Sequence, residues 1–500
     1  MSRSAVDVAA LSSWRADWAG LRVAVLGLGV TGFSVADTLN ELGADLLVLS
    51  ATADPATADL LDVIGVRLVT TDLAEQFDGF GPELVVVSPG FRPSHPLVQL
   101  AGERGVPVWG DIELAWRLRD KVEPAAEWIA ITGTNGKTTT TQLTTAMIAA
   151  GGNRVVACGN VGVPVLDAIR DPTGFDVLVV ELSSFQLHYL HSMSAYSSAC
   201  LNLAADHIDW HGSAAQYRAA KGQVYELTKV ACVYNTEDTA TRELVEQADV
   251  VEGCRAIGFG LGLPGPSDIG LVNEILVDRA FLDDRQRAAL EIATVADLES
   301  VGLGSPHMVA NVLAAAALAR SFGVSTADIR AAIMAFRLDP HRTETILEFG
   351  GVRWVDDSKA TNPHAAQASL DSFESIVWIV GGLFKGVDVD ELVEKNVAKL
   401  KAAVVIGVDR QAVVEAFTRH APELPVFEVE TTETDQVMST AVRLSDSVAV
   451  TGDTVLLTPA AASMDQFSDY ADRGNRFAHA VHDLLGGPDD HEHSPTPPAG

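Results

Sequence analysis

Along the first hundred or so residues, short aliphatic and β-branched runs alternate with stretches whose apolar positions recur at helical spacing. Leu21–Leu26 reads as a buried strand, Gly32–Leu42 as a helix and Ala44–Leu49 as the next strand. Val66–Thr70 and Glu83–Ser88 supply two more strands, and Pro89-Gly90 ends the last at a turn. Apolar runs without in–out alternation belong to strands covered on both faces, so this pattern predicts a parallel sheet with helices on either side. A helical stretch at Asp111–Arg119 and a polar, proline-containing connector at Asp120–Glu127 put a domain boundary near residue 112.

The alternation restarts at Trp128-Ile-Ala-Ile-Thr132, a strand that runs directly into Gly133. Further strands are predicted at Arg154–Ala157, Val177–Glu181, Ser198–Leu203 and Val230–Tyr234, and an Ala-rich helix at Gly304–Phe322. A third unit opens at Gly351–Asp356 and continues with strands at Ile376–Val380, Ala402–Ile406 and Thr454–Leu457. Three α/β domains are expected, over residues 1–112, 113–339 and 340–486. Residues 487–500, rich in Pro, Asp, Glu and His, read as a disordered tail, and His491-Glu-His493 as part of that solvated tail.

Composition narrows the function. The 35 basic and 67 acidic side chains give a net charge of −32, which argues against nucleic acid as the main partner because a phosphate backbone needs a basic stripe. Only nine lysines occur, so a lysine inside a Gly-rich turn carries weight. No apolar run approaches the roughly 20 residues that span a bilayer, and Met1–Ala10 has no apolar signal region. Cys158, Cys200, Cys232 and Cys254 are scattered, with no Cys-x-x-Cys, which indicates neither a zinc clip nor a disulfide framework. The chain reads as a cytoplasmic protein without membrane insertion, working as a monomer.

The most informative stretch is Gly133-Thr134-Asn135-Gly136-Lys137-Thr138-Thr139, between a strand and a helix predicted at Thr140–Ala150. Glycines let backbone N–H groups turn toward phosphate oxygens, and the helix N-terminus adds partial positive charge. Lys137 can neutralise β- and γ-phosphates, and the Thr138 hydroxyl can ligate Mg²⁺. Two residues separate the glycines where the ordinary P-loop has four, which argues against a common GTPase or kinase. Upstream, Gly27-Leu-Gly29-Val30-Thr31-Gly32 follows the first strand in the G-x-G-x-x-G pattern. It suits a pyrophosphate, or glycines that serve only helix–strand packing. NAD is disfavoured because Ser50 stands where an acidic residue would hold the ribose, and Asp54 lies too far into the loop.

Polar groups also collect where the strands of the second and third domains end, the edge at which parallel sheets bind ligands. Glu181-Leu-Ser183-Ser184-Phe-Gln186 follows one strand, then come Asp206-His207-Ile-Asp209-Trp-His211 and Tyr217-Arg218-Ala-Ala-Lys221. Carboxylate and imidazole beside a phosphate loop suit a divalent metal between ATP and a second anion. His207 alone would read as a satisfied loop histidine, a reading that its neighbours reverse, and Lys221 on a helix would normally be a solvated surface charge. In the third domain the corresponding stretches are Asp356–Asn362, Gly381–Gly386 and Ser463–Tyr470.

Taken together, GTNGKTT (133–139), GNVG (159–162), ELSSFQL (181–187), DHIDWHG with YRAAK (206–221), DDSKATN (356–362), the Gly381–Gly386 turn and SMDQF with RGN (463–475) resemble the Mur ligase family. These are ATP-dependent amide-bond-forming enzymes of cell-wall precursor synthesis, and DSKATN and SMDQF point to the branch that adds D-glutamate. The resemblance implies a Rossmann-like N-terminal domain, a central P-loop-type ATPase domain with a parallel sheet, and a Rossmann-like C-terminal domain. It implies ATP as cofactor with two Mg²⁺ sites, and UDP-MurNAc-L-Ala and D-glutamate as substrates. Gly29, Val30, Thr31, Gly32, Ser88, Pro89, Gly90, Asn160 and Ser183 would bind the UDP-linked substrate. Gly133 through Thr139, with Asn311, Arg342 and Asp357, would bind ATP. Thr138, Glu181, His207 and Lys221 would hold metal, Lys221 after carbamylation by CO₂. Thr361, Lys385, Ser463 and Tyr470 would receive D-glutamate, and Lys137, His207, Lys221 and Lys359 would be catalytic. Two positions depart from the family pattern: Ser50, where an acidic residue often meets the uracil, and Tyr470, where Phe is familiar. A folylpolyglutamate synthetase shares the ATP core but not a GLGVTG-bearing first domain; a sister ligase adding another amino acid is the nearer rival.

Overall fold

The computed structural model describes residues 7–384 and 387–486. The expectations for Lys385 and for the tail 487–500 fall outside those residues. The chain divides into two compact units, Met1–Leu203 with Trp210–Phe336, and Ala204–Asp209 with Arg337–Gly500.

The first unit contains two sheets. One is built from β1 (Arg22–Leu26), β2 (Asp45–Leu49), β3 (Arg67–Val69), β4 (Leu84–Val87) and β5 (Val108–Gly110), in the order β3-β2-β1-β4-β5 with every pair parallel. Alternate residues of the apolar runs serve opposite faces. Val23, Val25, Val48 and Val86 enter one core, while Ala24, Leu26, Leu47 and Val87 enter the other. Because both faces are covered, the strand sequences show no polar alternation. The order reverses between β1 and β4, so the turns after these two strands flank the ligand crevice expected of such a sheet.

The second sheet comprises β6 (Glu127–Thr132), β7 (Val155–Gly159), β8 (Val177–Glu181), β9 (Ser197–Cys200), β10 (Ala231–Asn235), β11 (Arg255–Phe259), β12 (Asp268–Val272), β13 (Ile275–Asp278) and β14 (Leu290–Thr294). Its order is β14-β13-β12-β11-β10-β9-β6-β8-β7. The strands from β7 across to β12 are parallel, as the sequence predicts for β6 to β10; the pattern reading lacked β11 to β14, of which β13 and β14 add an antiparallel edge. Asn273 and Glu274, both at positive φ, form the tight turn between β12 and β13 without the glycine that usually signals one. The Ala-rich helix Pro306–Ser321 packs against helix Lys137–Ala150, and almost every one of its side chains is buried. Short alanine side chains let it lie close to its neighbours on all sides.

The second unit has one sheet: β15 (Glu344–Phe349), β16 (Val352–Asp356), β17 (Ile376–Gly381), β18 (Leu400–Ile406), β19 (Val426–Glu428) and β20 (Thr454–Leu457). The order is β15-β16-β20-β17-β18-β19, parallel except for the β15–β16 hairpin. Helix Tyr470–Leu485 lies beside β15 and β16. Among the described residues no helix is long and apolar enough to cross a membrane.

Gly474 of that last helix shows how closely it approaches the sheet. A Cβ there would sit 2.3 Å from His341 Nδ1 and 2.7 Å from Asp356 Oδ2. Replacing a helical glycine by alanine ordinarily stabilises by about 0.5–1 kcal/mol. At Gly474 the sign reverses: Gly474→Ala is expected to destabilise by about 1–3 kcal/mol through overpacking. Gly102, whose Cβ position meets nothing within 4 Å, is the control and its alanine variant should melt no lower than the parent. Thermal melts of the two variants check this.

Candidate functional site

The loop after β6 is held in place by the end of β9. Thr134 N donates to Asn202 O at 3.0 Å, Asn135 N to Asn202 Oδ1 at 2.8 Å, and Asn202 Nδ2 returns a bond to Asn135 O at 3.1 Å. Strand β9 ends at Cys200, not Leu203: Leu201 N still bonds Thr132 O, but Asn202 turns aside to brace the loop. Gly136 caps the next helix at φ +80°, and a Cβ there would lie 2.3 Å from Asn311 Oδ1. Both facts require glycine, and the second places Asn311 directly against the loop. The helix begins at Lys137 instead of Thr140, so Thr138 stands in its first turn.

Two lysines meet at this loop. Lys137 Nζ donates to Gly133 O and to Thr134 O, both at 2.9 Å. Lys221 Nζ donates to the same Gly133 O and to Thr132 Oγ1, both at 2.8 Å. The reading of Lys221 as a solvated surface charge is thereby corrected. It lies in the last turn of helix Ala214–Gly222, 2% exposed, because that helix directs it inward to the strand ends. Tyr217, one turn earlier, shares a hydrogen bond with Thr134 Oγ1 at 2.9 Å.

Glu181 ends β8, the strand beside β6, and is buried. Its Oε1 accepts from Asn160 Nδ2 at 2.9 Å, whereas Oε2 is buried with no protein partner. Ser183 caps helix Ser184–His188 in a reciprocal capping box with Gln186. Lys137, Thr138, Asn160, Glu181, Ser183, Lys221 and Asn311 are thus gathered around the ends of β6, β8 and β9. Thr139 differs: its side chain is buried, and its hydroxyl has no partner.

At the first sheet, the β1 and β4 turns touch. A Cβ on Gly27 would stand 2.9 Å from Ser88 Oγ, and one on Gly32 would stand 2.1 Å from Gly27 O. Gly29 and Val30 are exposed beside them, and Gly29 has open space around it. Tyr189 Oη donates to Phe91 O at 3.0 Å and Trp210 Nε1 to Gly90 O at 3.4 Å, which pins the Ser88–Gly90 turn to the second sheet's loops. Ser50 spends its hydroxyl on Thr52 O at 2.6 Å, and Asp54 caps the following helix by accepting from Thr57 N.

In the second unit, the turns after β16, β20 and β17 are tied together. Leu383 and Ala462 form a bridge, and Ser358 Oγ donates to Tyr470 O at 2.7 Å. Lys359 Nζ lies 3.6 Å from the centroid of the Tyr470 ring, a cation–π contact. Thr361 and the buried Ser463 flank this cluster in sequence, while Arg342 stands between His341 and Thr343, both at positive φ. Asp357 is buried and accepts from Ser369 Oγ, Thr458 Oγ1 and Thr343 N, yet burial pushes its carboxyl up to about 7. His207, also in this unit, has φ +51° and its backbone N–H bonds Asp206 Oδ1 at 2.9 Å.

Two residues here, Asn202 and His341, were missed by motif reading, and a third, Arg473, was quoted within the RGN motif but given no role. Asn202 has no signal beyond its place after a strand. Arg473 is fully buried, donating to Ser358 Oγ and O and to Ala461 O, and burial lowers its guanidinium to about 10. Its position on an otherwise apolar helix face, in line with Phe477 and Val481, is the signal that could have found it. His341 Nδ1 meets Asp356 Oδ2 at 2.6 Å in a buried pair that no spacing rule suggests.

Three family models match the chain: the Mur ligase MurD-like N-terminal domain over residues 21–110, the Mur ligase middle domain over 131–319, and the Mur ligase glutamate ligase domain over 341–461. The chain is 61% identical to UDP-N-acetylmuramoylalanine–D-glutamate ligase of Leifsonia xyli subsp. xyli, covering 97% of each chain. It is 51% identical to the enzyme of the same name from Streptomyces avermitilis, covering 94% of this chain and 99% of that one. Among solved structures, UDP-N-acetylmuramate–alanine ligase of Thermotoga maritima aligns with a TM-score of 0.54 at 19% identity, over 93% and 99% of the two chains. A bifunctional folylpolyglutamate synthase/dihydrofolate synthase aligns with a TM-score of 0.51 at 16% identity, over 75% and 93%. At those identities the structures show a shared fold.

The His341–Asp356 pair makes stability depend on pH. The hydrogen bond that His341 donates to Asp356 raises the imidazole above its ordinary 6.5. A raised folded-state value means the pair's contribution is complete below 6.5 and is lost as pH rises through the folded value. Urea melts of the wild type and His341→Gln should therefore differ most on the acid side, and the gap should narrow as pH rises above 6.5. A gap that stays constant as pH rises past 6.5 contradicts the assignment.

Proposed function

This chain belongs to the Mur ligase family, and we propose that it joins D-glutamate to UDP-N-acetylmuramoyl-L-alanine, with ATP cleaved to ADP and phosphate. The observation that carries the reading is the meeting of Lys137 and Lys221 on Gly133 O, with the unpartnered Glu181 Oε2 at the end of the adjacent strand. A carboxylate is a poor electrophile. Its oxygen attacks the γ-phosphorus, the bond to ADP breaks, and an acyl phosphate forms. The amine of D-glutamate then adds to the acyl carbon, and phosphate leaves with the oxygen that began on the carboxylate.

The first step brings two anions together, and the phosphate loop answers that repulsion. Lys137 and the N–H groups at the start of its helix would hold the β- and γ-phosphates, with Asn311 against Gly136 fixing the loop's shape. Gly29–Gly32 and Ser88–Gly90, at the crossover of the first sheet, would take the UDP moiety, and Asn160 and Ser183 the muramoyl part. Thr361, Lys385, Ser463 and Tyr470 would receive D-glutamate, with Lys359 beside Tyr470, and Arg342 and Asp357 would contribute to ATP binding. The domain limits 1–112, 113–339 and 340–486 would then separate the sites for UDP, ATP and amino acid.

Mg²⁺ suits the residues present. A buried carboxylate with one oxygen engaged by Asn160 and the other unpartnered is a hard oxygen donor, and Thr138 offers a hydroxyl. When bound, the cation supplies charge neutralisation for the transferring phosphoryl group. An ammonium cannot ligate a cation, so Lys221 would contribute only after its neutral amine adds to CO₂, giving a carbamate and releasing a proton. His207 would be a further ligand.

Phosphate release measured with each substrate omitted in turn tests the reading. Turnover should require ATP, UDP-MurNAc-L-Ala and D-glutamate together, and L-alanine or a diamino acid in place of D-glutamate should not support it. Lys137→Ala should lower kcat by about 10²–10³-fold, the usual effect of removing a charge-stabilising donor. Lys221→Ala should lose activity comparably. Phosphate release without D-glutamate, or full activity in Lys137→Ala, would overturn the assignment.

A further inference from the structure

Helix Asp111–Arg117, which follows β5 of the first sheet, sends two buried carboxylates to the segment that carries Ser183. Glu113 takes its far end: Oε2 accepts from His191 N at 2.8 Å and Ser192 N at 2.9 Å, and Oε1 from Ser192 Oγ at 2.7 Å and Arg117 Nε at 2.7 Å. Asp111 takes the near end, where Oδ2 accepts from Gln186 Nε2 at 3.1 Å. The two are not alike. Burial opposes ionisation of Glu113, but its bonds to Ser192, His191 and Arg117 hold the carboxyl below its usual range. Asp111 keeps Oδ1 buried without a partner, and burial pushes it up to about 6.

The amide of Gln186 can face two ways, and Asp111 at one end and the Ser183 backbone N–H at the other select the same one. A carboxylate oxygen accepts, so the NH₂ end must point at Asp111 and the carbonyl end at Ser183. Gln186 Oε1 accordingly accepts from Ser183 N and from Ser183 Oγ, both at 3.1 Å. Ser183 Oγ in turn accepts from Gln186 N at 3.2 Å. Its one proton is therefore committed to Gln186, and toward a ligand it has only a lone pair to offer.

We infer that Asp111 is a positioning residue that, through Gln186, makes Ser183 a hydrogen-bond acceptor for an N–H or O–H group of the sugar-linked substrate, and turns it away from carboxylate or phosphate oxygens. This rests on Ser183 contacting that substrate, as proposed above. Ser183 thus reads the amide or hydroxyl portion of the substrate next to the reacting acid, while the cations at the phosphate loop take its charge. Without an acceptor at 111 only the Ser183 N–H still favours this orientation; the amide is held less firmly, the Ser183 proton is more often released, and the site's preference weakens.

Steady-state kinetics on the full chain, varying UDP-MurNAc-L-Ala and ATP separately, test the inference. Asp111→Ala should raise KM for UDP-MurNAc-L-Ala about tenfold, the size of one hydrogen bond's selectivity, and change KM for ATP less than about twofold. Asp111→Asn keeps an acceptor for Gln186 and should stay within about threefold of wild type for both substrates. Gln186→Met, which fills the space and leaves Ser183 its proton, should reproduce the Asp111→Ala pattern and serves where Asp111→Ala does not fold. Equal rises in both KM values, or a KM for UDP-MurNAc-L-Ala unchanged in Asp111→Ala or Gln186→Met, overturn the positioning role. An Asp111→Asn variant as impaired as alanine overturns it too, since charge would then be what matters. Wild-type turnover that requires D-glutamate, measured in the same series, keeps a failure here distinct from a failure of the ligase reading.

Discussion

Gly133 O receives hydrogen bonds from two ammonium groups, Lys137 and Lys221, and the architecture around the second sheet serves that meeting. Two like charges do not share one carbonyl oxygen without purpose. A polyphosphate beside Lys137, or the carbamylation proposed for Lys221, relieves that mutual repulsion, and a carboxylate at the next strand end suits the cation that accompanies the phosphates. The supporting parts follow from this constraint. Asn202 braces the loop from β9, Asn311 presses against Gly136, and Thr132 at the end of β6 holds Lys221. Each acts where a parallel strand ends, because there the chain leaves the ladder with backbone groups to spare.

Buried charge recurs in the second unit on the same principle. Arg473 lies wholly inside, its donors spent on Ser358 and Ala461, and it links the turns after β16 and β20. Asp357 is held by three donors and still favours the neutral form more than an exposed aspartate does. Such groups contribute little net stability, because desolvation offsets most of what the bonds return. What they secure is a single arrangement of loops, around which Lys359 and Tyr470 face each other.

Much of this was legible in the sequence. The limits of β8 and β20 agree to the residue, since each is a short aliphatic run with a polar residue, Glu181 or Thr454, marking one end. The loop 133–139 was legible because glycines, lysine and threonines keep their roles in any strand–loop–helix setting. Strand β5 has three residues and no period to detect, and β13 follows a turn without glycine, so pattern alone could not find them. Residue environments were less accessible still. Lys221 has the sequence context of a surface lysine and becomes buried because its helix is laid across strand ends. Asp111 and Gln186 are 75 positions apart, and only the connection between two sheets lets one orient the other.

The most direct measurement follows the oxygen. UDP-MurNAc-L-Ala carrying ¹⁸O in its L-alanyl carboxylate, turned over with ATP, Mg²⁺ and D-glutamate, should yield phosphate that contains one labelled oxygen per molecule. That label can arrive only if the carboxylate attacked the γ-phosphorus held at the Lys137 loop. Phosphate released without label would show that the phosphoryl group went to water or to the amine, and would contradict the account at its centre.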